Sequence, residues 1–231
     1  MRDKKLTMLT RKLLRDLWHV KGQVITIALV VASGIAAFCA SLSTYESLKR
    51  MQFEYYESAR FAHVFASARR VPVGLEAKVL NVAGVVDVQT TLSYDALLDL
   101  PEVIEPRVEL MVARLVALPA HADGSALRMN RLTLMAGRWI DAPASNQVLV
   151  SETFAKARGL APGTSVRVLM NGKRETLHVV GIVLSPEYVF AMHPGSGDEN
   201  SFGVFWIGRE RLAAAYNMEG AFNRVAVRLA R

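Results

Sequence analysis

The sequence predicts an α+β fold carried on one N-terminal transmembrane helix, which continues outward as an amphipathic stalk. Three observations predict it. Between Lys21 and Glu46 there is no charged residue, and seven Lys and Arg precede this stretch. Beyond residue 60, short alternating apolar runs exchange with short stretches of helical spacing. The dipeptides Pro162-Gly163 and Asn171-Gly172 punctuate those runs, and Asn-Gly between two alternating segments is a strong hairpin signal. The organisation that follows is a basic amphipathic leader over 1–21, a transmembrane helix over 22–45, a stalk helix over 46–60 and an exported domain over 61–231. At about 170 residues, that domain is long enough to bury a core.

The leader alternates Leu6, Leu9, Leu13, Leu14, Leu17 and Trp18 with Arg11, Lys12 and Arg15. This is the pattern of a helix lying at a lipid surface, with tryptophan at the interface. Residues 23–42, QVITIALVVASGIAAFCASL, then supply the roughly 20 apolar residues that a hydrocarbon core demands. A cleavable signal peptide is the rival reading. It requires a shorter basic region, a shorter apolar core and small residues before the cut. Here the best junction, Phe38-Cys39-Ala40, places a bulky phenylalanine there, so an uncleaved anchor is expected.

Orientation follows the Lys/Arg bias. Seven basic and two acidic residues lie before the span, whereas Lys49, Arg50 and Arg60 beyond it are balanced by Glu46, Glu54 and Glu57. The N-terminus is therefore expected in the cytoplasm and the domain outside. Most of the net charge of +7 belongs to the leader, so the basic pI is no argument for nucleic-acid binding. Cys39, the only cysteine, lies in the span; the domain has to be held by its core rather than by disulfides.

On a helical wheel Val24, Ile27, Val31, Ile35, Phe38 and Leu42 gather on one side. Ala28, Ala32, Ala36 and Ala40 recur at every fourth position, with Ser33, Ala37 and Ser41 beside them. Small residues at that spacing let membrane helices approach closely. The face is either a site for partner helices or the ordinary alanine content of a membrane helix. Past the span, Tyr45, Leu48, Met51, Tyr55 and Ala59 continue a helical stripe, giving either a stalk that carries motion or a helix packed on its own domain.

Within the domain, strands are predicted over 61–68, 85–92, 107–118, 148–150 and 204–207, with a final strand over 224–229. A turn is expected at 71–74 and a helix over 75–82 that ends near Gly84. Ser151 is placed to cap a helix over 152–158, with Gly159 as its stop, and a second helix is read around 210–216. The Asn-Gly hairpin joins the runs on either side of 171–172.

These residues carry a specific resemblance. The basic leader, first span, stalk and exported α+β domain resemble the first segment of FtsX/MacB-type ABC-transporter permeases. The matching stretches are GRW at 137–139, VLVSETFAKARGLAPGTSVRVLMNG at 148–172 and TLHVVGIVLSPEYVFA at 176–191. The resemblance covers essentially the whole chain and implies a MacB-like periplasmic core domain in a bacterial cytoplasmic membrane. It also implies an ABC ATPase subunit as partner and three further membrane helices. Those helices are not among these 231 residues, so a fragment, a split subunit or a truncated product is expected, with partner helices on the same or a second polypeptide. Cargo would be amphipathic: lipoprotein, lipid, peptide or drug. The alternative is a free-standing membrane-anchored binding or adaptor protein without ABC machinery.

Enzyme signatures are missing. Gly172-Lys173 lacks the rest of a P-loop, and there is no G-x-S-x-G, H-E-x-x-H or paired-cysteine metal pattern. No catalytic residue and no cofactor is expected, and ATP hydrolysis would fall to the partner subunit. His193 with Asp198 and Glu199 is read as a solvated loop, and His178 as an outward-facing strand residue. The long segment 185–203 is the candidate interaction loop, with Ser185, Pro186, Glu187, Tyr188 and Phe190 as its candidate residues. The competing reading is that its aromatic residues plug the edge of the core.

Overall fold

The computed structural model describes residues 8–99, 111–119, 127–189 and 202–230. The chain divides into two compact units, Met1–Glu54 and Tyr55–Arg231. In the first, α1 spans Met8–His19, with Leu13, Leu17 and Trp18 exposed. Helix α2 runs unbroken over Lys21–Ser58, about 57 Å at 1.5 Å per residue. It is the one helix among the described residues long and apolar enough to cross a membrane, with a mean hydropathy of 2.3 in its apolar window. None of its residues is buried. Its hydroxyls close on their own backbone: Thr26 donates to Gly22 O at 2.9 Å, Ser33 to Val30 O at 2.8 Å and Ser41 to Ala37 O at 2.9 Å. That arrangement lets polar side chains sit in an apolar helix without an outside partner.

The described residues of the second unit form ten strands: β1 (Val64–Pro72), β2 (Val85–Thr91), β3 (Ser93–Asp99), β4 (Met111–Leu118), β5 (Thr133–Gly137), β6 (Gln147–Ser151), β7 (Ser165–Met170), β8 (Lys173–Leu184), β9 (Phe202–Gly208) and β10 (Ala221–Leu229). Helices α3 (Glu76–Leu80), α4 (Glu152–Arg158) and α5 (Arg209–Tyr216) lie between them. One sheet is β1-β10-β2, antiparallel throughout. The other has the order β5-β8-β6-β9-β4-β3-β7, and β7 pairs back onto β8. Six of its strands therefore close into a ring, which removes their free edges. Strand β8 makes closure possible by its length: residues 173–178 pair with β7, and 178–183 pair with β6.

Alternation fills the ring. Leu98, Leu115, Val150, Val168, Leu177 and Phe205, each from a different strand, join one buried cluster with Phe154 of α4 and Leu212 of α5. The opposite faces of β4, β6 and β9 build a second cluster around Val116, Leu149, Val204 and Trp206. Turn chemistry agrees with the sequence. Asn171 and Gly172 take φ of 46° and 77° in the β7–β8 hairpin, and Gly159 at φ 63° closes α4.

Several boundaries differ from expectation. β1 begins at Val64 and runs to Pro72, because residues 59–61 form the reversal that ends α2 and because an edge strand tolerates proline. The helix after it starts with a 3-10 turn, Val73–Leu75, and the α-helical part covers Glu76–Leu80. Strand β3 was not predicted. Of the expected strand over 107–118, residues 107–110 lie outside the described residues. Ser151 holds the N-cap position, but it makes no side-chain cap bond; its hydroxyl accepts from Val204 N at 3.4 Å instead.

Candidate functional site

The last turn of α2 and the reversal after it bond to the three-stranded sheet and to segment 127–132. Ala59 N donates to Tyr55 O and Phe61 N to Tyr56 O, both at 2.9 Å, and Arg60 takes φ 50° to make the reversal. Tyr56 stacks on Phe61 at 4.7 Å. Glu57 pairs with Arg228 of β10 at 3.1 Å, and Arg60 with Asp87 of β2 at 3.2 Å. Segment 127–132 seals the reversal: Arg131 N donates to Ala59 O at 2.9 Å, and Ala62 N donates to Asn130 Oδ1 at 3.0 Å.

The other end of Asn130 leads to the predicted loop. Its Nδ2 donates to Glu187 Oε2 at 3.0 Å. Arg224 of β10 pairs with Glu187 Oε1 and donates to the Tyr188 hydroxyl. The Arg224 guanidinium also lies 5.6 Å from the ring centroids of both Phe65 and Tyr188. Tyr188 meets Trp206 of β9 edge-on at 6.0 Å. One arginine from the three-stranded sheet is thus held by a loop that leaves the ring at the end of β8. Two further side chains span the same junction. Arg209 donates to Thr90 O at 3.0 Å and Ala221 O at 3.1 Å, and Asn223 bonds both N and O of Ser93 at 2.8 Å. A cavity of about 30 Å³ between Glu187, Arg224, Gln89 and Asn130 has room for a bridging water.

Burial decides the electrostatics. Removal from water pushes the Glu187 carboxyl above its usual range, against the pull of Arg224. The Tyr188 phenol is raised as well, by burial and then by the neighbouring carboxylate. Arg224 is thereby bound to both the carboxyl and the phenol in a largely buried position, and the cluster serves as a tie between loop and sheet. No group of three or more metal-ligating side chains is found among the described residues. His178 is exposed and hydrogen-bonds Ser165 across the hairpin at 2.9 Å.

A carboxyl raised in the folded state contributes stability that is present below the ordinary glutamate range and is lost as pH rises through the raised value. The stability of the protein relative to Glu187→Gln is therefore expected to fall as pH rises from the ordinary glutamate range, about 4, toward neutrality. Urea unfolding at both ends of that window checks it, and a difference that stays constant or grows with pH contradicts it.

Of the predicted site residues, Ser185 is buried at 4% exposure, and Pro186 is buried beside it. Glu187 and Tyr188 form the tie, and Phe190 lies outside the described residues, as do His193, Asp198 and Glu199. Ala28, Ala32, Ser33, Ala36, Ala37 and Ala40 are exposed along α2. Sequence reasoning missed Arg224, Asn130, Asn223 and Arg209. The one available signal was Asn223-Arg224, a polar pair that, with Arg228, interrupts the apolar final strand.

No curated protein matches the chain. The extracellular domain of the noncanonic ABC-type transporter YknZ from Gram-positive bacteria is 12% identical, with 72% of this chain and 82% of that one covered and a TM-score of 0.44. The periplasmic region of MacB from Actinobacillus actinomycetemcomitans is 13% identical, with coverage of 73% and 67% and a TM-score of 0.41. The assignment rests on the family match, which takes in the apolar helix and the strand-rich unit together. A family model described as MacB-like periplasmic core domain matches residues 24–230, and the chain belongs to that family.

Proposed function

We propose that the chain is a non-catalytic permease component of an FtsX/MacB-type ABC transport system, driven by a separate ATPase subunit and acting on amphipathic cargo outside the cytoplasmic membrane. The basic leader sets the N-terminus in the cytoplasm and the strand-rich unit beyond the membrane. One observation carries the coupling role. The helix that holds the charge-free stretch continues unbroken to Ser58, and its last turn and the residues after it are bonded to β2, β10 and the 127–132 segment. A rotation or shift of that helix then acts on the three-stranded sheet, with the Arg224–Glu187–Tyr188 tie at the junction with the ring.

The Ala28, Ala32, Ala36 and Ala40 face, with Ser33 and Ala37, is the side that meets partner helices. Affinity purification of the full chain from membranes is expected to recover an ATPase subunit, or a polypeptide with further membrane helices. Ala32→Leu and Ala36→Leu should lower that recovery up to about tenfold, for an association loss of about 1–2 kcal/mol, while leaving insertion intact. Recovery of the chain alone as a monomer overturns the reading in favour of a free-standing adaptor. Unchanged recovery with both substitutions overturns the packing face.

A further inference from the structure

The three-stranded sheet is only half covered on its outer face. The register places Val64 and Ala66 of β1, Val225 and Val227 of β10, and Val88 and Thr90 of β2 on one side. Helix α3 covers the β2 half, where Glu76 accepts from Thr90 at 2.8 Å and Val88 is 1% exposed. With five residues, α3 is too short to reach across to β1, and Val64 there is 44% exposed. Small side chains on β1 leave a trough of about 330 Å³, floored by Ala66, Ala68 and Val225 and walled by Val79 and Val82. That volume falls at the low end of the roughly 300–1,000 Å³ typical of small-molecule sites.

The charged residues that line this trough are basic. Lys78 lines it, and the bulge between Ser67 and Val71 carries the exposed Arg69 and Arg70. Among the described residues none of these three has an ion-pair partner, and the nearby Glu76 is engaged by Thr90. Charges in a bulge also keep an edge strand from pairing with foreign sheets, but Lys78 stands on α3 and has no such task. An apolar floor with a cationic rim complements a molecule with an apolar chain and an anionic head. A partner helix, about 10 Å across, requires a wider groove than a trough between one edge strand and one short helix.

We propose that this trough binds a single-chain anionic amphiphile, its alkyl chain over Ala66, Ala68 and Val225 and its acidic head at Lys78. The site stands on the trough alone and holds with or without ATPase coupling, so its failure leaves the transport reading where it was. The test uses the full chain in phosphatidylcholine nanodiscs and a photoreactive dodecanoate, with the labelled peptides mapped by mass spectrometry. Label is expected on peptides 66–82 and 222–225, displaced by unlabelled dodecanoate and, along a carboxylate series, about fourfold better per added methylene. Lys78→Glu should weaken that competition about tenfold without affecting competition by dodecanol. Ala66→Trp, at an exposed position, should remove the trough label while label in the apolar helix stays constant as the internal standard. Label confined to the apolar helix, or trough label unchanged in both variants, overturns the proposal. Displacement by an acidic amphipathic peptide but not by dodecanoate also overturns it and assigns the trough to a protein partner.

Discussion

Arg224→Met is expected to cost the protein about 3 kcal/mol of stability, because it strands a buried carboxylate. The Glu187 side chain is only 16% exposed and Arg224 only 19%, so water replaces little of what the guanidinium supplies. The same change also removes the donor to the Tyr188 hydroxyl and the cation between Phe65 and Tyr188. Most of the loss comes from the partner left behind rather than from the pair itself, so adding Glu187→Leu to Arg224→Met should restore about half or more of it. Without its counter-charge the carboxyl is raised further still, and the deficit of Arg224→Met should shrink as pH falls toward the ordinary glutamate range. Denaturant unfolding of the full chain, followed by tryptophan fluorescence at Trp206, gives all three values. Strictly additive single and double changes, or a deficit that does not respond to pH, would show that Arg224 acts through packing alone. In that case the junction between sheet and ring has no electrostatic tie for helix movement to act upon.

How far the sequence could be read depends on which interactions are local. The apolar helix was legible because hydropathy and charge bias are properties of one continuous stretch. The β7–β8 hairpin was legible because Asn171 and Gly172 take positive φ in a turn of fixed length. Strand β3, SYDALLD, was not: Asp95 sits between inward-facing Tyr94 and Ala96, so the run carries its alternation with weak contrast. Ring closure was invisible for a different reason. It needs β8 to change partners halfway along, from β7 to β6, and nothing within β8 announces a partner 30 residues away. The tie was hidden in the same way. A single arginine in a terminal strand reads as a solvated charge until the register turns it inward, and Asn130 acquires its role only by bridging Ala62 and Glu187. The segment over 185–203 was singled out by length and composition, but those properties do not say which way the side chains of 185–188 point.

Gly208→Ala should be among the most damaging single-methyl additions at the described glycines of the strand-rich unit. Gly208 has φ −57° and ψ 138°, a conformation any residue adopts, so no backbone strain is at issue. Space is. A Cβ there would lie 1.9 Å from Pro143 O and 2.5 Å from Pro143 C, atoms of a backbone that cannot rotate aside. The Pro143 carbonyl also accepts from Arg211 N at 3.4 Å, and Asn146 of the same turn accepts from Arg211 Nε at 2.7 Å. Pushing that turn outward therefore uncaps the start of α5, whose Leu212 closes the ring interior. A loss of about 3 kcal/mol or more is expected. Gly172→Ala provides the contrast: its φ is +77° with nothing within 4 Å of an added Cβ, so only left-handed strain of about 1–2 kcal/mol applies. Hydrogen exchange separates the two mechanisms. Gly208→Ala should accelerate exchange across α5 and β9, and Gly172→Ala only at the hairpin. Equal stability losses with the same exchange pattern would mean that the close approach of residue 143 to the end of β9 is not what fixes this corner of the ring.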